Sequence, residues 1–559
     1  VKIFFFRKKI PGSAEEIRQL RKDRLLLITG GLLLALSFPP MPFPLTILSF
    51  VSLIPLLFVL ERRNGLASIN KAMYLFAFVF CLFTIYWVGS WQSEADPFLM
   101  IAGTVLLFFN PLLFLIPSTL FYLARKVLNQ NAALFLMPFL WITYEYLYTL
   151  TDLSFPWLNI GHGLANFNIF IQAADIIGAM GLSGVVVLIN ILIYFSIKFR
   201  RQSTSKFLLI AGSVLIIFSL FISYGLIQQE GRKSGLAKVK VGIIQPDINP
   251  WDKWEVGGLN EFLNLYLELS DQAVRKGAKI IVWPETALPV YLFSGNYPFA
   301  VDRIYDFIET KKVYLLTGIP YINYYFDEKN MPEDIKYSKA GNYYYTSYNG
   351  IVLLSPYSKD LQKYGKMKLV PLGERVPFAD KLPFLAHLLK WGVGLSGWNV
   401  GKDTSVFKVN LKDIDENKSG DSVKIGPLVC YESVYEQFVT EFVNKGANLI
   451  SVVTNDSWYG KSSGPYQHKE FAVLRAVENR RSVIRCANGG ISCVINQSGI
   501  TEAETRLFTK NVLVADVSLN EEKTFYTKHP YILTGISSVI SFWIFGINIL
   551  IWLKKKMKL

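Results

Sequence analysis

Apolar positions follow two different rhythms along this chain. Between residues 25 and 227, and again at 531–553, they form long runs with few charges. Between 238 and 518 they shrink to strand-sized runs and helical stripes. The long runs number eight, at about 25–38, 44–60, 71–91, 98–124, 132–150, 172–196, 207–227 and 531–553. A helix crossing a bilayer of about 30 Å needs roughly 20 apolar residues, and most of these runs reach that length. The first run is short and ends at Phe38-Pro39-Pro40, so the first two are expected to form a tight helical hairpin.

The region 238–518 reads as one α/β domain. Residues 238–245 alternate like a strand, 259–277 have helical spacing closed by Gly277, and 278–283 form a short apolar run suited to a buried strand. Further strands are expected at 313–319, 344–355, 423–430, 448–454, 482–487, 491–496 and 512–517, with helices at 302–311, 433–445 and 467–479. That mixture predicts a layered α/β sandwich.

Charge adds direction. Eight Lys or Arg precede residue 25, and others follow the second, fourth, sixth and eighth runs (Arg62 and Arg63; Arg125 and Lys126; Lys198, Arg200 and Arg201; Lys554, Lys555 and Lys556). The opposite loops, 92–97 and 151–171, hold neither residue type. By the positive-inside rule, the tail 1–24 and the tail 554–559 are expected in the cytoplasm, and 238–518 outside it. The membrane domain is then 25–227, with 531–553 as its last helix. The opening Phe4-Phe5-Phe6 is too short an apolar run for a cleaved leader.

Composition agrees with a membrane protein. Hydrophobic residues make up 51% and charged residues 18%, below the roughly 25% of an ordinary soluble domain. The net charge of +15 sits at the ends of apolar runs, which argues against nucleic-acid binding. Four cysteines (Cys81, Cys430, Cys486 and Cys493) and four histidines show no metal-ligand spacing, so neither metal nor cofactor is expected.

Three strings carry candidate chemistry. Glu285 follows a buried strand in Trp283-Pro284-Glu285-Thr286. Lys366, with Lys368 a rival, stands in Gly365-Lys366-Met367-Lys368, eight residues before Glu374. Cys430 closes an apolar strand ahead of a predicted helix, in Val429-Cys430-Tyr431-Glu432. Taken singly, each has a bland reading: a solvated turn glutamate, a surface lysine, a buried structural cysteine. As a set they offer a thiol nucleophile, a carboxylate to take its proton, and an ammonium that, with the Tyr431 N–H, holds an oxyanion.

The set resembles the nitrilase (carbon–nitrogen hydrolase) superfamily, whose domains carry Glu, Lys and Cys in this order. Asn455-Asp456-Ser457-Trp458-Tyr459-Gly460 and Asn488-Gly489 add to the resemblance. Eight membrane segments, Phe155-Pro156-Trp157-Leu158 and Gly373-Glu374-Arg375-Val376-Pro377 are similar to the apolipoprotein N-acyltransferase branch. The resemblance implies an αββα sandwich on the periplasmic face of the inner membrane. It implies Glu285 as general base, Lys366 as oxyanion partner and Cys430 as nucleophile. Glu374 would orient Lys366, and Tyr431, Glu432 and Trp254 would support the site, with Trp251 a rival for the last position. The implied reaction passes an acyl chain from a phospholipid, such as phosphatidylethanolamine, through a Cys430 thioester to the α-amine of a diacylglyceryl-cysteine apolipoprotein.

Two other classes stay open. A membrane amidase of the same superfamily would give the acyl group to water. A transporter or sensor would carry charges inside its spans, where only Glu145 and Asp175 stand near the edges. Finally, 382–391 and the glycine-rich 392–397 are apolar for an external loop. They are expected to form a mobile arm that lies against the membrane and gates the site, or else a helix packed in the core.

Overall fold

The structure, a computed structural model, describes residues 13–95, 97–230, 237–251, 258–327, 331–339, 341–378, 397–410, 412 and 422–557. Trp254 and nearly all of the expected arm at 382–397 lie outside the described residues.

Seven helical segments come first: α1 (Ala14–Leu36), α2 (Phe43–Glu61), α3 (Leu66–Gly89), α4 (Pro97–Val127), α5 (Gln130–Thr149), α6 (Ala174–Phe199) and α7 (Thr204–Glu230). With the last helix introduced below, eight segments match the eight apolar runs. Six of them are long and apolar enough to cross a membrane. The exceptions are α1, whose first half carries Glu15, Glu16, Arg18, Arg21, Lys22, Asp23 and Arg24, and α5, which carries Glu145 and several other polar side chains. The predicted hairpin is present: Asp23 of α1 meets Arg62 and Arg63 beyond α2 at 2.6 and 2.5 Å. Inside the bundle, α2 is broken near Leu53. Asn190 of α6 takes up the exposed groups, accepting from Leu53 N at 2.8 Å and donating to Ser49 O at 2.8 Å. Apolar surroundings offer no water for this, so a side chain must satisfy the free backbone.

The α/β domain follows. Its first half holds β1 (Lys238–Gln245), α8 (Leu259–Arg275), β2 (Ile280–Trp283), α9 (Pro298–Lys311), β3 (Tyr314–Tyr325), β4 (Lys336–Ser338), β5 (Tyr343–Ser355) and β6 (Ser358–Gly365). Its second half holds β7 (Phe407–Asn410), β8 (Ser422–Val429), α10 (Glu436–Asn444), β9 (Leu449–Thr454), α11 (Gly464–Asn479), β10 (Ser482–Ala487), β11 (Cys493–Ile495), β12 (Thr501–Glu504) and β13 (Asn511–Ser518). The chain then returns to the bundle as α12 (Ile532–Met557).

One sheet runs β13-β1-β2-β3-β5-β4, with β6 also on β5; the other runs β12-β11-β10-β9-β8-β7. β1, β2 and β3 are parallel, as are β8, β9 and β10, so each half is built on βαβ crossovers. Alternation assigns the faces. Val239, Val241 and Ile243 point into the space between the sheets, whereas Ile244, with Ile281 and Leu315, packs under Leu263 and Tyr266 of α8 and Ile304 of α9. The result is an αββα sandwich whose parallel strands end at one edge, where open α/β sheets present side chains to a crevice.

α10 and α11 lie on the outer face of the second sheet and dock on the bundle. α6 breaks at Gly178, whose φ is +67° and where a Cβ would fall 2.3 Å from the Tyr526 ring. Beyond the break, the N–H groups of Ala179 and Met180 donate to Glu478 and Glu436, each at 3.0 Å. Arg475 balances these carboxylates, bonding Glu478 at 2.7 Å. Nearby, Arg480 binds Asp175 of α6 at 2.6 Å and donates to Gln172 O at 3.0 Å.

These buried pairs are expected to hold the two regions together. Arg480→Met leaves Asp175 without its charge partner and should cost about 3–5 kcal/mol, read as a lower melting temperature in detergent. Lys445→Ala removes the exposed pair with Asp403 and should change stability by at most about 1 kcal/mol. Equal effects from the two would contradict a load carried by the buried pair.

Candidate functional site

The turn that ends β8 sets the site. Cys430 has φ +52°, a left-handed conformation that a non-glycine residue holds only at a cost of order 1–3 kcal/mol. A 3-10 turn, Cys430–Val434, follows it before α10 begins at Glu436, so the helix expected at 433 starts later. Glu432 pins this turn. One carboxylate oxygen accepts from Val429 N at 2.8 Å; the other accepts from Tyr364 OH at 2.6 Å and Met367 N at 2.7 Å. It therefore ties the Cys430 turn to the segment that carries Lys366. Burial pushes the Glu432 carboxyl up to about 7, against the pull of those donors.

Tyr431 points the other way. Its hydroxyl donates to Ser154 O at 2.6 Å, and its ring stacks on Phe155 at 6.0 Å. The loop after α5, which holds the Phe155–Leu158 string, thus supports the turn from the bundle side.

Glu285 leaves the end of β2 and Lys366 the end of β6, and both meet Cys430 around one cavity of about 130 Å3. Lys366 Nζ lies 3.5 Å from Glu285 and 2.8 Å from Glu374. Asn349 Nδ2 donates to both glutamates, at 2.8 and 2.9 Å, and Asn455 N donates to Glu285 at 3.1 Å. Val370 N donates to Glu374 at 2.9 Å, closing the loop that positions it. Burial works against the Lys366 ammonium, but the carboxylates of Glu374 and Glu285 outweigh it and hold its pKa above the usual lysine value. Burial, then the Glu285 charge, pushes the Cys430 thiol up despite Lys366, so it rests protonated at neutral pH.

The far wall of the cavity comes from the bundle: Val88 of α3, and Leu99 and Ala102 of α4. Tyr459 and Trp458 close the side between the two regions. Behind Cys430, its Sγ and the ligand atoms of Asp456 and His468 lie within 4.8 Å of one another. Arg485 is bonded to both Asp456 and His468, and its guanidinium disfavours a cation there.

Of the residues expected from sequence, Glu285, Lys366, Cys430 and Glu374 share the cavity, while Glu432 and Tyr431 brace the turn from behind. Sequence reading passed over Asn349, His468 and the bundle residues. Asn349 sits mid-strand, and only its inward register on β5 marks it.

Two family models match. Residues 240–525 fit the carbon–nitrogen hydrolase family, and 30–192 fit the apolipoprotein N-acyltransferase N-terminal domain. The chain is 33% identical over 532 residues to an apolipoprotein N-acyltransferase of Chlorobaculum tepidum, covering 94% of this chain and 97% of that protein. It is 31% identical over 525 residues to the protein of that name from Geobacter metallireducens, covering 91% and 92%. Among solved structures, a nitrilase-superfamily amidase from Nesterenkonia superposes with a TM-score of 0.35 at 16% identity, over 53% of this chain and 96% of that one. Together, the two matched domains and the relatives' near full-length coverage show that this chain belongs to the apolipoprotein N-acyltransferase family.

Proposed function

We propose that this membrane protein moves an acyl chain from a phospholipid to the α-amine of a diacylglyceryl-cysteine apolipoprotein, through a thioester on Cys430. The observation that carries the reading is the cavity itself, where Glu285, Lys366 and Cys430 face apolar residues of membrane helices. Acyl chains in water cost about 0.8 kcal/mol per CH2, so a site walled by the bundle takes the ester without extracting it.

In the proposed reaction Glu285 takes the thiol proton as Sγ attacks the ester carbonyl. The transfer moves one negative charge from carboxylate to sulfur and leaves the net charge of the pocket unchanged, which a buried site requires. The Lys366 ammonium, held by Glu374, stabilises the tetrahedral oxyanion. Collapse breaks the C–O bond, and the leaving lysophospholipid oxygen receives the proton from Glu285. The acceptor amine then attacks the thioester, Glu285 takes its proton, and sulfur leaves as the amide forms. The proton returns to Sγ, completing a ping-pong cycle. Phosphatidylethanolamine is the proposed donor.

Incubation with phosphatidylethanolamine and a diacylglyceryl-cysteine peptide should yield acylated peptide, absent with Cys430→Ser. Free fatty acid as the main product would point instead to a hydrolase. Lys366→Met should lower kcat by about 10²–10³-fold and Glu285→Gln by about 10²–10⁴-fold, measured per folded protein. Wild-type rates in either variant would remove that residue from the mechanism.

The distribution of Lys and Arg supports an inner-membrane protein with both termini in the cytoplasm and the α/β domain in the periplasm. A fluorescent protein that matures only in the cytoplasm, fused after the last residue, should be bright. A dark but intact fusion would reverse the orientation.

A further inference from the structure

A buried polar cluster sits behind the nucleophile turn and takes no part in the reaction above. His468, in the first turns of α11, presents Nε2 to the Cys430 carbonyl oxygen at 3.1 Å and to Ser433 Oγ at 3.0 Å. A carbonyl oxygen only accepts, so Nε2 carries a hydrogen there. On the opposite side of the ring, Nδ1 lies 2.9 Å from Asp456 and 3.1 Å from Arg485. Asp456 is fixed in turn by the Arg485 guanidinium and by Thr454 Oγ1 at 3.0 Å. The imidazole also packs on Trp157 of the loop after α5, with ring centres 5.5 Å apart. Trp157 and Trp87 both donate to Gln467, the residue before His468, at 2.7 and 3.0 Å.

We propose that His468 is a positioning residue for the nucleophile. Its Nε2–H holds the Cys430 carbonyl and so keeps Cys430 in the left-handed turn that presents Sγ to the cavity. The argument is geometric. The turn is strained, so its peptide needs an outside partner to stay rotated. Ser433 Oγ also bonds this carbonyl, at 2.9 Å, but belongs to the same turn and moves with it. His468 belongs to a separate helix. Its ring is locked on one edge by Asp456 and Arg485 and on its face by a tryptophan from the bundle loop. The same residue therefore links the seating of the α/β domain to the aim of the sulfur.

The inference rests on Cys430 being the nucleophile, and the experiment separates the two claims. Full-length protein in detergent is assayed with phosphatidylethanolamine and the diacylglyceryl-cysteine peptide. Iodoacetamide labelling of Cys430 is followed by mass in parallel, because the other three cysteines are buried. His468→Leu should lower kcat and the labelling rate together, by about 10²-fold, the cost of a misplaced reacting group. The lipid KM should stay within about threefold, because substrate contacts are intact. His468→Gln, whose Nε2–H reaches the same carbonyl, should restore most of the rate; His468→Asn, which reaches only toward Asp456, should not. Should the leucine variant fail to fold, the glutamine–asparagine contrast at matched melting temperature carries the test. Equal rates in those two variants, or wild-type labelling and kcat in His468→Leu, would overturn the positioning role. Full activity in Cys430→Ser would instead overturn the proposed reaction itself.

Discussion

The contact between the restarted end of α6 and two buried carboxylates governs how the rest is arranged. Breaking α6 at Gly178 frees the N–H groups of Ala179 and Met180 in a buried interface. Unsatisfied, each would cost a kilocalorie or more. Glu478 and Glu436 accept them, and the helix dipole favours negative charge at that end. Two adjacent carboxylates repel, and burial pushes both up in pKa; Arg475 between them opposes that. These contacts accompany a seating of the α/β domain that brings Val88, Leu99 and Ala102 across from Cys430.

From that seating the site inherits its electrostatics. Two carboxylates and one ammonium share a pocket lined on the bundle side by apolar residues, and the thiol beside them stays neutral at rest. Asn349 bridges the glutamates without adding charge, so it orders them. The Cys430 thiol is thus held beside paired charges but is itself uncharged, as the proposed acyl transfer needs at its start.

Much of this was legible in the sequence, and the misses have physical reasons. Glu285 and Cys430 follow strands that the apolar runs predict, whereas Lys366 follows β6; the family resemblance of their strings is what let their meeting be anticipated. Buried strands such as β8, β9 and β10 declared themselves as apolar runs. β4, β6, β7 and β12 were not foreseen, because these strands lie at sheet margins and present few buried positions in a row. Asn349 meets Glu285 and Glu374, and His468 meets Cys430, across 25 or more residues of sequence, which no local pattern encodes. Tyr431 was read for its N–H and as a supporting residue; that its hydroxyl is a strut onto Ser154 needs the bundle in view.

The central claim is that Cys430 carries the acyl group between donor and acceptor. Its most direct test is the intact mass of the purified protein after exposure to phosphatidylethanolamine without acceptor, beside Cys430→Ser. An added acyl mass on the wild type, removable by hydroxylamine and absent from the variant, is the expected result. Folded wild-type protein that binds the lipid yet gains no mass, while still acylating peptide when both substrates are present, would contradict a thioester route.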